Sequence, residues 1–101
     1  MRIQPKPSKR ELSDRLENAA ATVHLLEAVA TALADPHAVL DLVLRAQDAD
    51  EATALVMARF HVDAEQAEAM LNTQFRRASV ADRRGIEAVL REARAALDST
   101  T

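Results

Sequence analysis

The stretch ELSDRLENAAATVHLLEAVATALA, residues 11–34, decides the fold of this 101-residue chain. Its apolar residues recur at alternating steps of four and three, the heptad spacing of a helix packed lengthwise against another helix. The last helical segment repeats this spacing. We therefore expect the first and last helices to pair as a short antiparallel stalk, although the same spacing suits pairing between two chains. The seam comprises Leu12, Leu16, Ala19, Val23, Leu26, Ile86, Leu90, Ala93 and Leu97.

Three short amphipathic segments lie between these seams, and capping signals separate them. A residue that caps helix N-termini precedes each segment and the last helix. The signals are Asp35 followed by Pro36, Asp48 with Glu51, Asp63 with Gln66, and Ser79 with Asp82. In the second helix we expect the core face to consist of Val39, Leu40, Val43 and Leu44. The sequence predicts an all-α fold of about five helices, with the three short helices forming a compact head.

The composition agrees with a single helical domain. The chain has one glycine, three prolines and two phenylalanines, which disfavours sheets. It has no cysteine, and no apolar run approaches the roughly 20 residues that span a bilayer, so we expect a cytoplasmic protein without membrane contact. Pro5, Pro7 and the lack of apolar periodicity predict a flexible basic extension over residues 1–10. The helical domain is expected over residues 11–98.

Charge is unevenly distributed. The first ten residues carry four basic and no acidic side chains, whereas the remainder carries nine basic and sixteen acidic ones. An acidic body argues against direct nucleic-acid binding, which requires clustered lysine and arginine. Four arginines near Ser79 are expected to share one edge of the head. They either form ion pairs with Asp82 or Glu87, or offer an anion-binding patch to a partner protein or DNA. The four residues are Arg76, Arg77, Arg83 and Arg84.

Three motifs at fixed spacing connect the chain to a known family: HLLE at residues 24–27, LVMARF at 55–60 and AEAML at 67–71. From Leu16 to about Leu90 the chain resembles the C-gate dimerisation domain of the A subunits of bacterial DNA gyrase and topoisomerase IV. That domain joins two subunits and performs no chemistry. The resemblance therefore implies a homodimerisation module, or alternatively a modulator that binds a gyrase or topoisomerase IV A subunit. A DNA-associated helical protein is a third hypothesis.

The resemblance also implies where two copies would meet. Two heads would contact each other through the end of the fourth helix and the turn into the fifth, with Phe75 as the apolar anchor. The expected contacts are Met70, Gln74, Phe75, Ala78, Val80 and Ala81.

Departures from the family pattern occur at four positions. His61 replaces a glycine at a helix end that requires a left-handed residue. Ala78 and Ala81 replace large apolar residues, so a dimer contact built on this turn would be smaller or repacked. Gly85 stands inside the last helix and indicates a close helix crossing or a bend.

No chemistry is expected from this chain. Strand passage in the family requires a catalytic tyrosine, and the sequence contains no tyrosine. The histidines His24, His37 and His61 lack metal-ligand spacing, so we expect no metal or cofactor. His24 is expected to be a packed, hydrogen-bonded structural residue.

Overall fold

The computed structural model describes residues 8–73 and 75–99, and for Phe75 it describes only the backbone. Those residues form five α-helices and one short 3₁₀ helix, so the all-α prediction is confirmed. The α-helices are α1 (Lys9–Ala34), α2 (Pro36–Arg45), α3 (Ala49–Phe60), α4 (Ala64–Leu71) and α5 (Val80–Asp98). The 3₁₀ helix, Phe75–Ala78, links α4 to α5. The molecule is elongated, with principal extents of 58 × 28 × 19 Å.

The predicted capping residues begin the helices where expected. The side chains of Asp35, Asp48 and Ser79 each accept a hydrogen bond from the backbone N–H three residues later. Asp63 forms a complete capping box with Gln66, with bonds of 2.7 and 3.2 Å. These bonds satisfy N–H groups that have no partner within the helix.

The start of α1 differs from the expectation. α1 begins at Lys9, two residues before the expected start, because the Ser8 hydroxyl accepts a hydrogen bond from the Glu11 backbone N–H. Lys9 and Arg10 are therefore helical. The rest of the proposed extension, residues 1–7, lies outside the described residues.

The stalk forms within one chain, and α5 runs antiparallel to α1. Leu33 packs with Ile86, whereas Glu27 forms an ion pair with Arg94 at 2.9 Å. The helix α5 ends one turn beyond Arg94, at Asp98, so it pairs with α1 only from about Val23 onward.

The burial of the seam follows this overlap. Ile86 and Leu90 are 5% and 4% exposed. Leu12, by contrast, is 40% exposed because α1 extends beyond the end of α5. The seam is thus shorter than expected, and the remaining members are partly buried: Leu16, Ala19, Val23, Leu26, Ala93 and Leu97.

The core of the head is formed where small residues let α1 and α4 approach closely. Ala28 and Ala32 of α1 and Ala67 of α4 are at most 4% exposed. The distance between packed helices depends on the side chains at the crossing, so alanines shorten it. Val56 of α3 and Met70 of α4 complete this core at 0% and 2% exposure.

The expected core face of α2 is correct only at Val39, which packs against the core, whereas Leu40, Val43 and Leu44 are exposed. Leu42 is the buried residue of this helix, flanked one turn away by half-buried Val39 and Ala46. Leu44, an expected core residue, is 73% exposed. Since each residue turns the helix by about 100°, an error of one position moves a leucine from the core to the surface.

Two positions singled out in the sequence have a clear backbone account. His61 adopts the left-handed conformation at φ 55° and ψ 47°, as the family glycine implied. A Cβ added at Gly85 would have no described atom within 4 Å apart from those of its chain neighbours and the nearby backbone of α5, so the close crossing, one of the two explanations offered for this glycine, is absent from the described residues.

Candidate partner-binding surface

Three surface clefts meet at the C-terminal end of α4. Asn72 caps this helix through a backbone N–H bond of 2.9 Å to the Glu68 carbonyl. The Thr73 hydroxyl donates to the Ala69 carbonyl at 2.8 Å and holds the chain close to the helix end. Leu71, Asn72 and Thr73 each line at least one cleft. The end of α4 is therefore the place where these three clefts meet.

The apolar cleft lies between α1, α2, α4 and the 3₁₀ helix and has a volume of about 300 Å³. Nine of its ten lining residues are apolar, so few polar groups line this cleft. At its outer edge, Leu40 and Val43 are 39% and 40% exposed. The lining residues are Ala32, Leu33, Pro36, Val39, Leu40, Val43, Met70, Leu71, Thr73 and Ala78.

The basic groove is a wider depression of about 960 Å³ between α1, the end of α4, the 3₁₀ helix and α5. Arg76 and Arg77 lie on one side of it, and Asp82 is its acidic residue. Its apolar part includes Val89, which is 46% exposed. The full lining is Leu26, Asn72, Arg76, Arg77, Ala81, Asp82, Gly85, Ile86 and Val89.

The acidic cleft lies between α2, α3 and α4 and has a volume of about 480 Å³. Asp50 from the first turn of α3 and Glu68 from α4 supply its charge. It shares Val43 and Leu71 with the apolar cleft and Asn72 with the basic groove. The three clefts are therefore one continuous surface with acidic, apolar and basic parts.

The expected dimer contacts are divided by the structure. Val80 is 54% exposed at the start of α5, and exposed Ala81 lines the basic groove. Ala78 is half-buried in the apolar cleft. Met70 is 2% exposed, so it lies in the core and supports the apolar cleft from beneath. Gln74 and the Phe75 side chain lie outside the described residues.

The four arginines, which the sequence predicts to share one edge of the head, are exposed but do not line one common cleft. Arg76 and Arg77 line the basic groove, whereas Arg83 lines a separate small cleft beside Leu33 and Glu87. Arg84 lines none of the four clefts around the head. Successive helical residues point about 100° apart, which separates neighbours on α5 from each other and from the 3₁₀ helix.

His24 ties α1 to the start of α4. Its Nε2 lies 2.5 Å from Oδ2 of Asp63, and its backbone carbonyl accepts a bond of 2.9 Å from the Gln66 side chain. The His24 side chain is 44% exposed, so it is hydrogen-bonded as expected but is not packed in the core. The Gln66 backbone N–H, assisted by His24, lowers the pKa of Asp63. This cluster positions α4 against α1.

Sequence reasoning missed the acidic cleft and the outer face of α2. The available signal was the segment VLDLVL, residues 39–44, in which apolar residues occur on nearly all sides of one helix. A helix that is apolar all round is normally buried. In this structure Leu40, Val43 and Leu44 are exposed, so α2 presents more apolar surface than a free-standing head requires.

In the described residues, no helix combines the length and apolar character needed to cross a membrane. No protein-family model matches the chain. The chain is 37% identical over 71 residues to the A subunit of DNA gyrase from Dehalogenimonas lykanthroporepellens. The match includes 70% of this chain but spans only 9% of the gyrase chain. The similarity supports a relationship to a region of the gyrase A subunit.

Proposed function

We propose that this chain is a non-enzymatic homodimerisation module of the type found at the C-gate of type IIA topoisomerase A subunits. The observation that carries the proposal is the continuous, partly apolar surface around the end of α4. It coincides with the region through which the family resemblance places the contact between two heads. The similarity to the gyrase A subunit over most of the chain also supports the proposal.

The exposed apolar side chains favour association. Leu44 and Val80 are 73% and 54% exposed. Leu40 and Val43 line the apolar cleft and are 39% and 40% exposed. Burying apolar surface is worth about 25 cal/mol per Å². A stable interface would bury roughly 10% of the 7610 Å² that the chain exposes. A second copy that presents the same patch would cover these residues in a two-fold contact.

The absence of catalysis is part of the proposal. The A-subunit family cleaves DNA through a tyrosine, and these 101 residues contain none. The groups that the structure brings together at the end of α4 are apolar side chains, arginines and carboxylates. They suit recognition between surfaces.

Light scattering on the purified chain and two variants tests the proposal. We expect the wild type to have twice the 11.0 kDa mass of one chain. Val80→Asp should be monomeric, because it places a carboxylate in the contact. Aspartate in the first turn of a helix is favoured by the helix dipole, so α5 should still form.

Leu12→Asp is the matched control. Leu12 is 40% exposed but lies about 18 Å along α1 from His24, the residue through which α1 bonds to the start of α4, at about 1.5 Å per residue. This variant should remain dimeric. A monomeric wild type, or a dimer that survives Val80→Asp but not Leu12→Asp, would contradict the proposal. Circular dichroism confirms that each variant is folded.

The similarity to the gyrase A subunit favours a second candidate function, in which this chain binds and modulates the A subunit of gyrase or topoisomerase IV. Ala78 and Ala81 make the shared surface smaller than the family pattern. We would mix the chain with that A subunit, measure the mass of the complex, and assay supercoiling with the chain in excess. A new complex and altered supercoiling would support this function, and unchanged mass and activity would exclude it.

A further inference from the structure

Charges of opposite sign lie on the two sides of the end of α4. Residues 36–71 contain seven acidic and two basic residues, whereas residues 72–85 contain four basic residues and one acidic residue. The structure gathers part of each set into a cleft. Glu68 and Asp50 line the acidic cleft, and Arg76 and Arg77 line the basic groove.

Asn72 lines both the acidic cleft and the basic groove and marks the boundary between them. Within residues 8–73 and 75–99, the side chains of Glu68, Asp50 and Arg77 form no ion pair. All three are exposed, so they can meet an opposite charge on a second copy. The apolar residues beside them, Val43 and Leu71 in the acidic cleft and Val89 in the basic groove, give each charged cleft a surface that a protein partner can cover.

We propose that the second copy sits across a two-fold axis near Asn72, so that Arg77 of each copy meets Glu68 of the other. A two-fold axis through either charged patch would place like charges together. An axis between the patches brings each patch against its opposite, and the contact forms twice. Complementary charges of this kind set the register of an interface and speed its formation. This inference rests on the proposed homodimerisation and specifies its geometry.

A charge-exchange experiment tests this geometry. Arg77→Glu would place two glutamates together at both contacts, and Glu68→Arg would place two arginines together. We expect each variant alone to raise the dimer dissociation constant about 100-fold, taken as about tenfold at each of the two contacts. An equimolar mixture of the two variants should regain wild-type affinity. In the heterodimer, the two introduced side chains pair with opposite charges at one contact, and the native Arg77 and Glu68 pair at the other. Dissociation constants are measured by sedimentation equilibrium.

Two variants serve as controls for the change in net charge. Arg91→Glu on α5 and Glu17→Arg on α1 alter the charge by the same amounts at exposed positions that line none of the clefts. Both should dimerise like the wild type. Raising the salt concentration to about 1 M, where the screening length falls to about 3 Å, should reduce the difference between the charge variants and the wild type.

The outcomes separate this inference from the proposed function. A wild type that stays monomeric at all concentrations overturns both. A stable wild-type dimer whose affinity is unchanged by Arg77→Glu and Glu68→Arg overturns the geometry alone. Weakening by each variant without recovery in the mixture also overturns the proposed pairing, because it shows that each charge matters but that they do not meet.

Discussion

Replacing Gly85 by alanine should stabilise the protein. Gly85 is the sixth residue of α5, and a glycine in a helix interior is less favourable than alanine by about 0.5–1 kcal/mol. Its φ is not positive, so alanine can adopt the same backbone conformation. Among the described residues, an added Cβ meets no atom within 4 Å beyond its chain neighbours and the nearby backbone of α5, so no steric cost offsets the gain.

The expected magnitude is an increase of about 0.5–1 kcal/mol in the free energy of unfolding. For a domain of this size, 1 kcal/mol corresponds to a rise in Tm of about 4–8 °C. The assay is thermal unfolding followed by circular dichroism. Protein concentration must be fixed, because association makes Tm depend on concentration.

Ala21→Gly is the control for helix propensity. Ala21 is an exposed residue in the interior of α1, so this variant should lose about as much stability as Gly85→Ala gains. If Ala21→Gly behaves as expected while Gly85→Ala is neutral or destabilising, the reasoning is refuted. That result would mean that another surface approaches Gly85 closely, and the basic groove that it lines is where a second copy would do so.

Two further predictions concern the head. Met70→Ala should lower the free energy of unfolding by about 2–5 kcal/mol in urea titrations, because Met70 is 2% exposed and the substitution leaves a cavity; a loss below about 1 kcal/mol would contradict its place in the core. Asp63→Asn should reduce the acid sensitivity of the protein. The folded-state pKa of Asp63 lies below 3.8, so its charge stabilises the fold above that pH and the contribution disappears as the pH falls through the folded pKa. Asparagine also caps helices but does not titrate, so urea midpoints between about pH 5 and 2 should fall further for the wild type than for the variant. Equal pH dependence in the two proteins would argue against a role for this carboxylate.

Much of the fold could be predicted because its signals are local. A capping side chain acts on a backbone N–H three residues away, so Asp35, Asp48, Asp63 and Ser79 located the helix starts correctly. The left-handed residue at His61 was implied by the family pattern for the same reason, since it depends on one helix end. The early start of α1 depends on the Ser8 hydroxyl, which follows two prolines in a segment without apolar periodicity and so resembles part of the extension.

The candidate surface was less accessible to sequence reasoning. Val80 and Ala81 were identified through the family resemblance and are exposed, but Met70 belongs to the core. Helical periodicity shows that one side of α4 is apolar. It does not show whether that side faces α1 and α3 or a second copy. Glu68 and Asp50 line the same cleft because of the way α3 packs against α4, and no local pattern specifies that packing.

The sequence by itself determined the helices and all of their starts except that of α1, because capping bonds are properties of neighbouring residues. Heptad spacing predicted that α1 and α5 pair but left open whether they pair within one chain or between two. Tertiary structure alone decided which face of each short helix is buried, how far the stalk overlaps, and which charges share a cleft. These features depend on the relative rotation and position of helices distant in sequence. A rotation of about 100°, one residue on α2, is enough to exchange a core leucine for a surface one.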